Sequence, residues 1–292
     1  MSSNESSQLP VVSIVMSMLN AEKTLAAALR SIRMQTLDAW ELILIDDGSI
    51  DGSVAVARSF DDGRIRLVHD GRNLGLATRL NQAVAVSRGE FIARMDADDV
   101  CMPDRLARQV ETLQKHPALD LVGSRALVFD ESGMAKGLLP VGRVHSDITA
   151  KPFVGFPLPH PTWCGRSSWF KANPYNQSLM KTQDQDLLLR SYRHSCFGGV
   201  DDVLLGYRQD KPDLRKMLRG RRVYFGSIWR QARVTGEYGP ALLGMLNHAF
   251  KAAVDVLASA ISVAHHIQSR RFEPVPAALS ARWSKLWHQV SR

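Results

Sequence analysis

Apolar positions along the first part of the chain fall into two alternating kinds of run. Residues 11–16, 42–45, 65–68 and 91–95 are short and rich in β-branched and other apolar residues, the mark of strands covered on both faces. Between them, Leu25, Ala28, Leu29 and Ile32, then Leu76, Leu80, Ala83 and Val84, then Leu106, Val110 and Leu113, recur at helical spacing. Asn20 stands where an N-cap for the first of these helices belongs, and Pro103 fits the opening turn of the third. Residues 119–128 read as a further strand. Strands alternating with helices through about residue 130 predict an α/β domain with a mostly parallel central sheet.

In such sheets ligands bind beyond the carboxyl ends of the strands. Three polar clusters fall there: Ser17 to Asn20, Asp46 to Ser49, and Asp96-Ala97-Asp98-Asp99. Several carboxylates at the end of a buried strand cannot all ionise cheaply unless a cation or water compensates them. Hard divalent cations take oxygen ligands, often one or two carboxylates plus substrate phosphates. The acidic step therefore points to a metal–diphosphate site, with a plain solvated turn as the alternative on these residues alone.

Beyond residue 208 the pattern changes. Residues 211–233 interleave eight basic residues with Leu214, Met217, Leu218, Tyr224, Phe225, Ile228 and Trp229, a basic amphipathic helix weakened by Gly220 and Gly226. A long run follows from Pro240, with Leu242, Leu246, Ala249, Ala253, Val256, Ala260, Val263 and Ile267 on one stripe; Lys251, Asp255 and His266 interrupt it, so no membrane span is expected. A last segment sets Leu279, Trp283, Leu286, Trp287 and Val290 on one side, near Arg282, Lys285 and Arg292.

Charge separates the same two parts. The last 82 residues carry 14 Lys and Arg against 4 Asp and Glu, a net of +10, whereas the first 210 carry 23 against 25. Trp and Leu opposite Arg and Lys is the composition of an interfacial helix. Residues 211–292 are accordingly expected to meet an anionic membrane surface; the alternative is helices packed on the body with a solvated basic face. No base-reading motif supports nucleic acid as the partner. Cys101, Cys164 and Cys196 form neither a disulfide framework nor a zinc motif. Residues 1–10 are polar and expected to be a disordered lead-in, not a signal peptide. A cytoplasmic protein, peripheral on the cytoplasmic face of the membrane, fits these features.

The ordered set of motifs resembles the family 2 glycosyltransferases, which have the GT-A fold. The matching text is Val12-Ser-Ile-Val-Met-Ser-Met-Leu-Asn20, Gln35-Thr36, Trp40-Glu-Leu-Ile-Leu-Ile-Asp-Asp-Gly-Ser49, Asp51-Gly-Ser53, Arg72-Asn-Leu-Gly-Leu76, Asn81-Gln-Ala83, Arg88-Gly-Glu-Phe-Ile92, Asp96-Ala-Asp-Asp99 with Met102-Pro103, and Thr182-Gln-Asp-Gln-Asp-Leu-Leu-Leu-Arg190. The resemblance covers about residues 11–208. It implies a nucleotide-sugar-binding half at 11–130 and an acceptor half at 131–208, with a helical extension from 209 to 292.

The resemblance also implies roles. Asp98 would ligate Mn²⁺ or Mg²⁺; Asp96 would lie near the ribose or reach the metal through water. Asp99 would position the loop, cap a helix or face solvent. Asp47 would accept a hydrogen bond from the nucleobase, most often uracil, while Asp46 serves the turn or the sheet edge. Ser17 and Asn20 would line the nucleotide pocket, and Arg72 would approach base or phosphates or else form a surface ion pair. The family often has proline at position 17 and a stacking aromatic at 19; Ser17 and Leu19 depart from this.

Asp184 occupies the place of the base that takes the acceptor proton. Local physics offers a second use: Thr182 and Gln185 read as a capping box, which would set Asp184 in a first helical turn where the dipole lowers its pKa. Asp186 lies four residues before Arg190 and suits a helical ion pair. The family usually has Glu where Gln183 stands. His160, between Pro159 and Pro161, is a loop residue or an acceptor or metal contact.

The reading is thus a metal-dependent inverting glycosyltransferase. It would move a sugar from a nucleotide-diphosphate donor, UDP-linked, to a glycan or lipid-linked acceptor in cell-surface polysaccharide synthesis. A sugar-phosphate nucleotidyltransferase and a non-catalytic sugar-nucleotide or membrane adaptor are the alternatives.

Overall fold

The computed structural model describes residues 9–209, 213–260 and 272–292; residues 1–8 of the expected lead-in, and Val263, His266 and Ile267 of the long stripe, lie outside the described residues. The strands β1 (Val12–Met18), β2 (Trp40–Asp46), β3 (Ile65–His69) and β4 (Phe91–Arg94) lie parallel in the order β3-β2-β1-β4. They alternate with α1 (Leu25–Arg33), α2 (Ser53–Arg58) and α3 (Leu76–Val86).

Why the strand runs are so apolar is visible in their two faces. Val12, Ile14, Met16, Leu42, Leu44, Phe91 and Ala93 pack with α1, α2 and α4 (Arg105–Lys115). Their neighbours Val15, Ile43, Ile45 and Ile92 pack on the other face with Ala77, Leu80, Ala83 and Val84 of α3. Both faces of β1, β2 and β4 are covered, so successive residues are both buried, whereas the edge strand β3 is only partly buried.

The sheet becomes mixed beyond β4. A short β8 (Cys164–Arg166) runs antiparallel between β4 and β6 (Leu121–Phe129), and β9 (Phe197–Arg208) returns parallel to β6 over its length. The two-residue β5 (Val100–Cys101) and β7 (Ala135–Leu139) add antiparallel edges. The longest ladders remain parallel, as the sequence pattern predicts. Short α5 (His145–Ile148) and α6 (Ser167–Ala172), and α7 (Gln183–Ser191), lie within residues 131–208.

Three helices follow: α8 (Leu214–Thr235), α9 (Tyr238–Ala260) and α10 (Ala277–Val290). α8 runs unbroken through Gly220 and Gly226, against the expected weakening; Gly220 lies close under Thr182, where a methyl group would sit 3.8 Å from Cγ2 of that residue. One expectation for this part is overturned. The apolar side of α10 is not interfacial: Trp283, Leu286 and Val290 are buried with Phe129, Leu127 and Val203 of the sheet. The apolar stripe of α9, by contrast, is not its packing side. Ala241, Gly244, His248 and Asp255 face inward, and Leu242, Leu246 and Val256 face out.

Candidate active site

Strand β4 delivers the acidic loop to the carboxyl edge of the sheet. Met95 N–H still donates to Val15 (3.2 Å), and the chain then turns so that oxygens of Asp96, Asp98 and Asp99 lie within 4.8 Å of one another. Asp99 is buried, which excludes the solvated-turn and helix-cap readings. One of its oxygens accepts from the Arg208 amide (2.9 Å), tying the loop to β9, while the other has no partner among the described residues. Arg208 also donates through Nε to the Asp98 carbonyl (3.0 Å), with its guanidinium over Phe129.

This crowding shows in the acid strengths. Loss of water, then the charge of Asp96, pushes the Asp98 carboxyl up to about 6. Asp99 is raised well above the ordinary range by burial and by both neighbours. Arg94, buried at the end of β4, is the countercharge: it pairs with Asp96, yet its Nε and Nη1 have no partner among the described residues. The pattern reading treated Arg94 as one more residue of an apolar strand; an arginine inside such a run was the available signal.

Asp96 and Asp98 line a cavity of about 1390 Å³ with Ser17, Leu19, Asn20 and Arg208. Asn20 does not cap α1, which begins at Leu25 after Thr24. It takes a left-handed conformation (φ 51°), accepts from Ile50 N–H (3.0 Å) and donates its own N–H to Ser49 Oγ (2.9 Å), joining the loops after β1 and β2. Asp46 is fully buried and holds its turn through the amides of Gly48 and Ser49 and through His69 Nδ1.

Two expected donor contacts lie elsewhere. The Asp47 carboxylate accepts from the amides of Leu74 (2.7 Å) and Gly75 (3.1 Å) and from Arg79 Nε (3.0 Å). The carboxylate thus holds the 72–75 loop chiefly through Oδ1; Oδ2 takes only a share of the Gly75 N–H (3.1 Å) and keeps acceptor capacity for a nucleobase donor. Arg72 is exposed and outside the cavity wall, its carbonyl engaged by Arg79.

A second cavity, about 380 Å³, is walled by Phe156, His160, Asp184, Gln185 and Tyr207. The expected capping box is not formed. Thr182 is left-handed (φ 56°) with its hydroxyl on the Lys181 carbonyl, and Gln185 accepts from the Phe156 amide (2.9 Å). Asp184 nevertheless starts α7, and burial outweighs the lowering influence of backbone donors and Arg94, so its pKa is raised. Asp186 binds Arg190 (2.8 Å) and Arg230 (3.3 Å). His160 is buried, hydrogen-bonded through Nε2 to the Tyr175 hydroxyl (2.8 Å), with a pKa held well below the ordinary value by burial and by Arg94.

Residues 13–168 match the model of glycosyl transferase family 2. The chain belongs to that family. This family 2 glycosyltransferase is 35% identical over 214 residues to the putative glycosyltransferase EpsE of Bacillus subtilis, covering 71% of this chain and 76% of the relative. It is 32% identical over 130 residues to WfgD of Escherichia coli, a UDP-Glc:alpha-D-GlcNAc-diphosphoundecaprenol beta-1,3-glucosyltransferase, covering 44% and 51%. Its fold is GT-A: it superposes on the mannosyltransferase PcManGT of Pyrobaculum calidifontis, solved with GDP-Man and Mn²⁺, with a TM-score of 0.60 at 16% identity over 97% of this chain and 87% of that one.

The acidic loop suits a hard divalent cation. Its three carboxylates converge, an oxygen of buried Asp99 lacks a donor, and Asp98 and Asp99 hold raised pKa values that a cation would relieve.

Proposed function

We propose that this family 2 glycosyltransferase transfers a sugar from a UDP-linked donor, with inversion, to a hydroxyl of a glycan or lipid-linked acceptor. The observation behind this reading is the pair of cavities. One is edged by the carboxylate cluster, the other by the half-buried carboxylate of Asp184. The lipid-linked acceptor and UDP donor are those of WfgD by its name, and the assignment of residues 131–208 to the acceptor half follows from the place of Asp184.

In this proposal the diphosphate lies along Asp96 and Asp98, which would hold Mn²⁺ or Mg²⁺. The cation would stabilise negative charge on the leaving UDP. Arg208 and Lys181 add positive charge to the same cavity wall. Ser17 and Asn20 shape the nucleoside side of the cavity. The acceptor enters beside Asp184. As its hydroxyl oxygen bonds to the anomeric carbon, the bond to the diphosphate oxygen breaks on the opposite face, and Asp184 takes the hydroxyl proton. A raised pKa makes Asp184 a better base than an ordinary first-turn aspartate. Arg94 opposes, at both Asp98 and Asp184, the rise in pKa that burial imposes.

The test is transfer from a panel of UDP-sugars with Mn²⁺, scored by the nucleotide product. Released UDP supports the reading; released pyrophosphate would indicate nucleotidyl transfer, and no turnover of any donor a binding role. Asp98→Ala and Asp184→Asn are each expected to lower transfer by about 10²–10⁴-fold. Only Asp184→Asn should keep wild-type UDP and Mn²⁺ binding, and wild-type turnover in either variant removes its assigned role.

A further inference from the structure

Helix α9 of the α8–α9 hairpin is built with its apolar side outward. On α9, Leu242, Leu243, Leu246, Phe250 and Leu257 are 58–70% exposed, while His248 and Asp255 are buried beneath them. A water-soluble helix normally buries its apolar stripe and solvates its polar one. Here the polar side is committed to packing. Asp255 pairs with Arg221 (2.6 Å), His248 packs edge-on against Tyr224, and Gly244 lies against Phe153, where a methyl group would come within 2.6 Å of its Cβ. These contacts fix the rotation of α9 and leave the leucines outside.

The outer side of α8 complements this face. Arg215, Arg219, Arg222, Trp229 and Arg233 recur at helical spacing, all exposed, opposite the buried Tyr224, Ile228 and Ala232. Arg219, Arg222 and Arg233 pair with no carboxylate among the described residues. The acids of the hairpin are turned away from this side or already engaged: Glu237 pairs with Arg193 (2.6 Å), Asp255 is buried, and Asp213 caps the start of α8. At the hairpin turn exposed Trp229 and Tyr238 stand with ring centroids 6.0 Å apart. Apolar residues beside unpaired arginines, with two amphipathic aromatics at the edge, match a surface of anionic headgroups over acyl chains. A second copy of the same face would cover the leucines but would bring arginines against arginines, with no acid on that face among the described residues.

We propose that the outer face of the α8–α9 hairpin docks on an anionic lipid bilayer, with α9 entering the headgroup–acyl boundary and the arginines of α8 binding phosphates. The hairpin packs directly on the acceptor side: Arg230 binds Asp186 on α7, the helix that carries Asp184 in its first turn, and Tyr224 donates to the Pro152 carbonyl (3.1 Å). Docking would hold the Asp184 cavity close to the membrane surface. The docking rests on the exposed face alone and stands whether or not the transfer reaction is as proposed.

The experiment is co-sedimentation of the full-length protein with vesicles of phosphatidylcholine alone and of phosphatidylcholine mixed with phosphatidylglycerol, with light scattering of the free protein. Binding to the mixed vesicles is expected and to phosphatidylcholine alone not. Leu243→Glu with Phe250→Glu should weaken binding at least about tenfold, at unchanged thermal stability because both side chains are exposed. Arg219→Glu with Arg222→Glu should weaken it by a similar factor and flatten its salt dependence. Absence of binding, or wild-type binding by the Leu243/Phe250 variant, overturns the proposal. So does a dimer that the same variant dissolves while vesicle binding is absent.

Discussion

At the scale of single residues, the chemistry turns on which influence wins at each carboxylate. Asp184 begins a helix, where the dipole favours the anion, but burial prevails and its pKa is raised from 3.8. A base must be ionised, so at saturating Mn²⁺ the acid limb of kcat/KM should rise with pH and level off above an inflection higher than 3.8. Arg94 lowers the pKa of Asp184, so Arg94→Met is expected to move that inflection to higher pH; an unmoved inflection would show that Arg94 does not act on the base. Asp98 gives a second pH dependence. Its pKa of about 6 means that protons compete with the cation. Titration of Mn²⁺ into the free enzyme should show affinity falling about tenfold per pH unit below that value and flat above it. The acids were legible in the sequence because acids after an apolar strand are conspicuous. The occupation of Asp47 was not, since its partners Leu74, Gly75 and Arg79 are 27 to 32 residues away.

At the scale of elements, periodicity located α3 to the residue and placed the parallel strands within one or two residues. These segments are buried on the side their pattern indicates, so local pattern and tertiary packing agree. Caps read from residue type alone fared worse. Asn20 and Thr182 both take left-handed conformations, which cap-forming side chains do not need; Asn20 joins two loops instead, and the Thr182 hydroxyl turns back to the Lys181 carbonyl. For α10 the pattern correctly named the apolar side but not its partner. Trp283 fits against Gly206, where even a methyl group would lie 2.3 Å from the indole, and donates to the Gly133 carbonyl (2.7 Å). Trp283→Ala should cost about 3–5 kcal/mol, measured by denaturant unfolding; a loss below 1 kcal/mol would mean that α10 is a dispensable appendage. Gly206→Val should destabilise by driving the same helix off the sheet.

At the scale of the whole molecule, the C-terminal part is two things. The hairpin α8–α9 packs on α7, whereas α10 returns to the sheet. There Arg30 of α1 donates to the Val290 carbonyl (2.8 Å), and Trp287, Val290 and Arg292 close one wall of the larger cavity. A chain ending at residue 210 is therefore expected to lose more than surface. It should unfold at lower temperature than the full-length protein and lose most of the stabilisation that UDP with Mn²⁺ gives, which thermal shift measures directly. No helix among the described residues is long and apolar enough to cross a membrane.

The sequence by itself determined the family, the parallel half of the sheet and the loop that carries Asp96, Asp98 and Asp99. Each depends on residues close together in the chain, whose spacing alone gives strand, turn and charge. Only the tertiary structure decided which apolar stripes are interior. A stripe of leucines reads the same whether it faces a sheet or water. The rotation of α9 is set by distant partners, Phe153 and Arg221, and the burial of α10 by Phe129 and Gly206. The tail that reads as one basic amphipathic extension is thereby divided into a helix that completes the core and a hairpin that presents its apolar side to the outside.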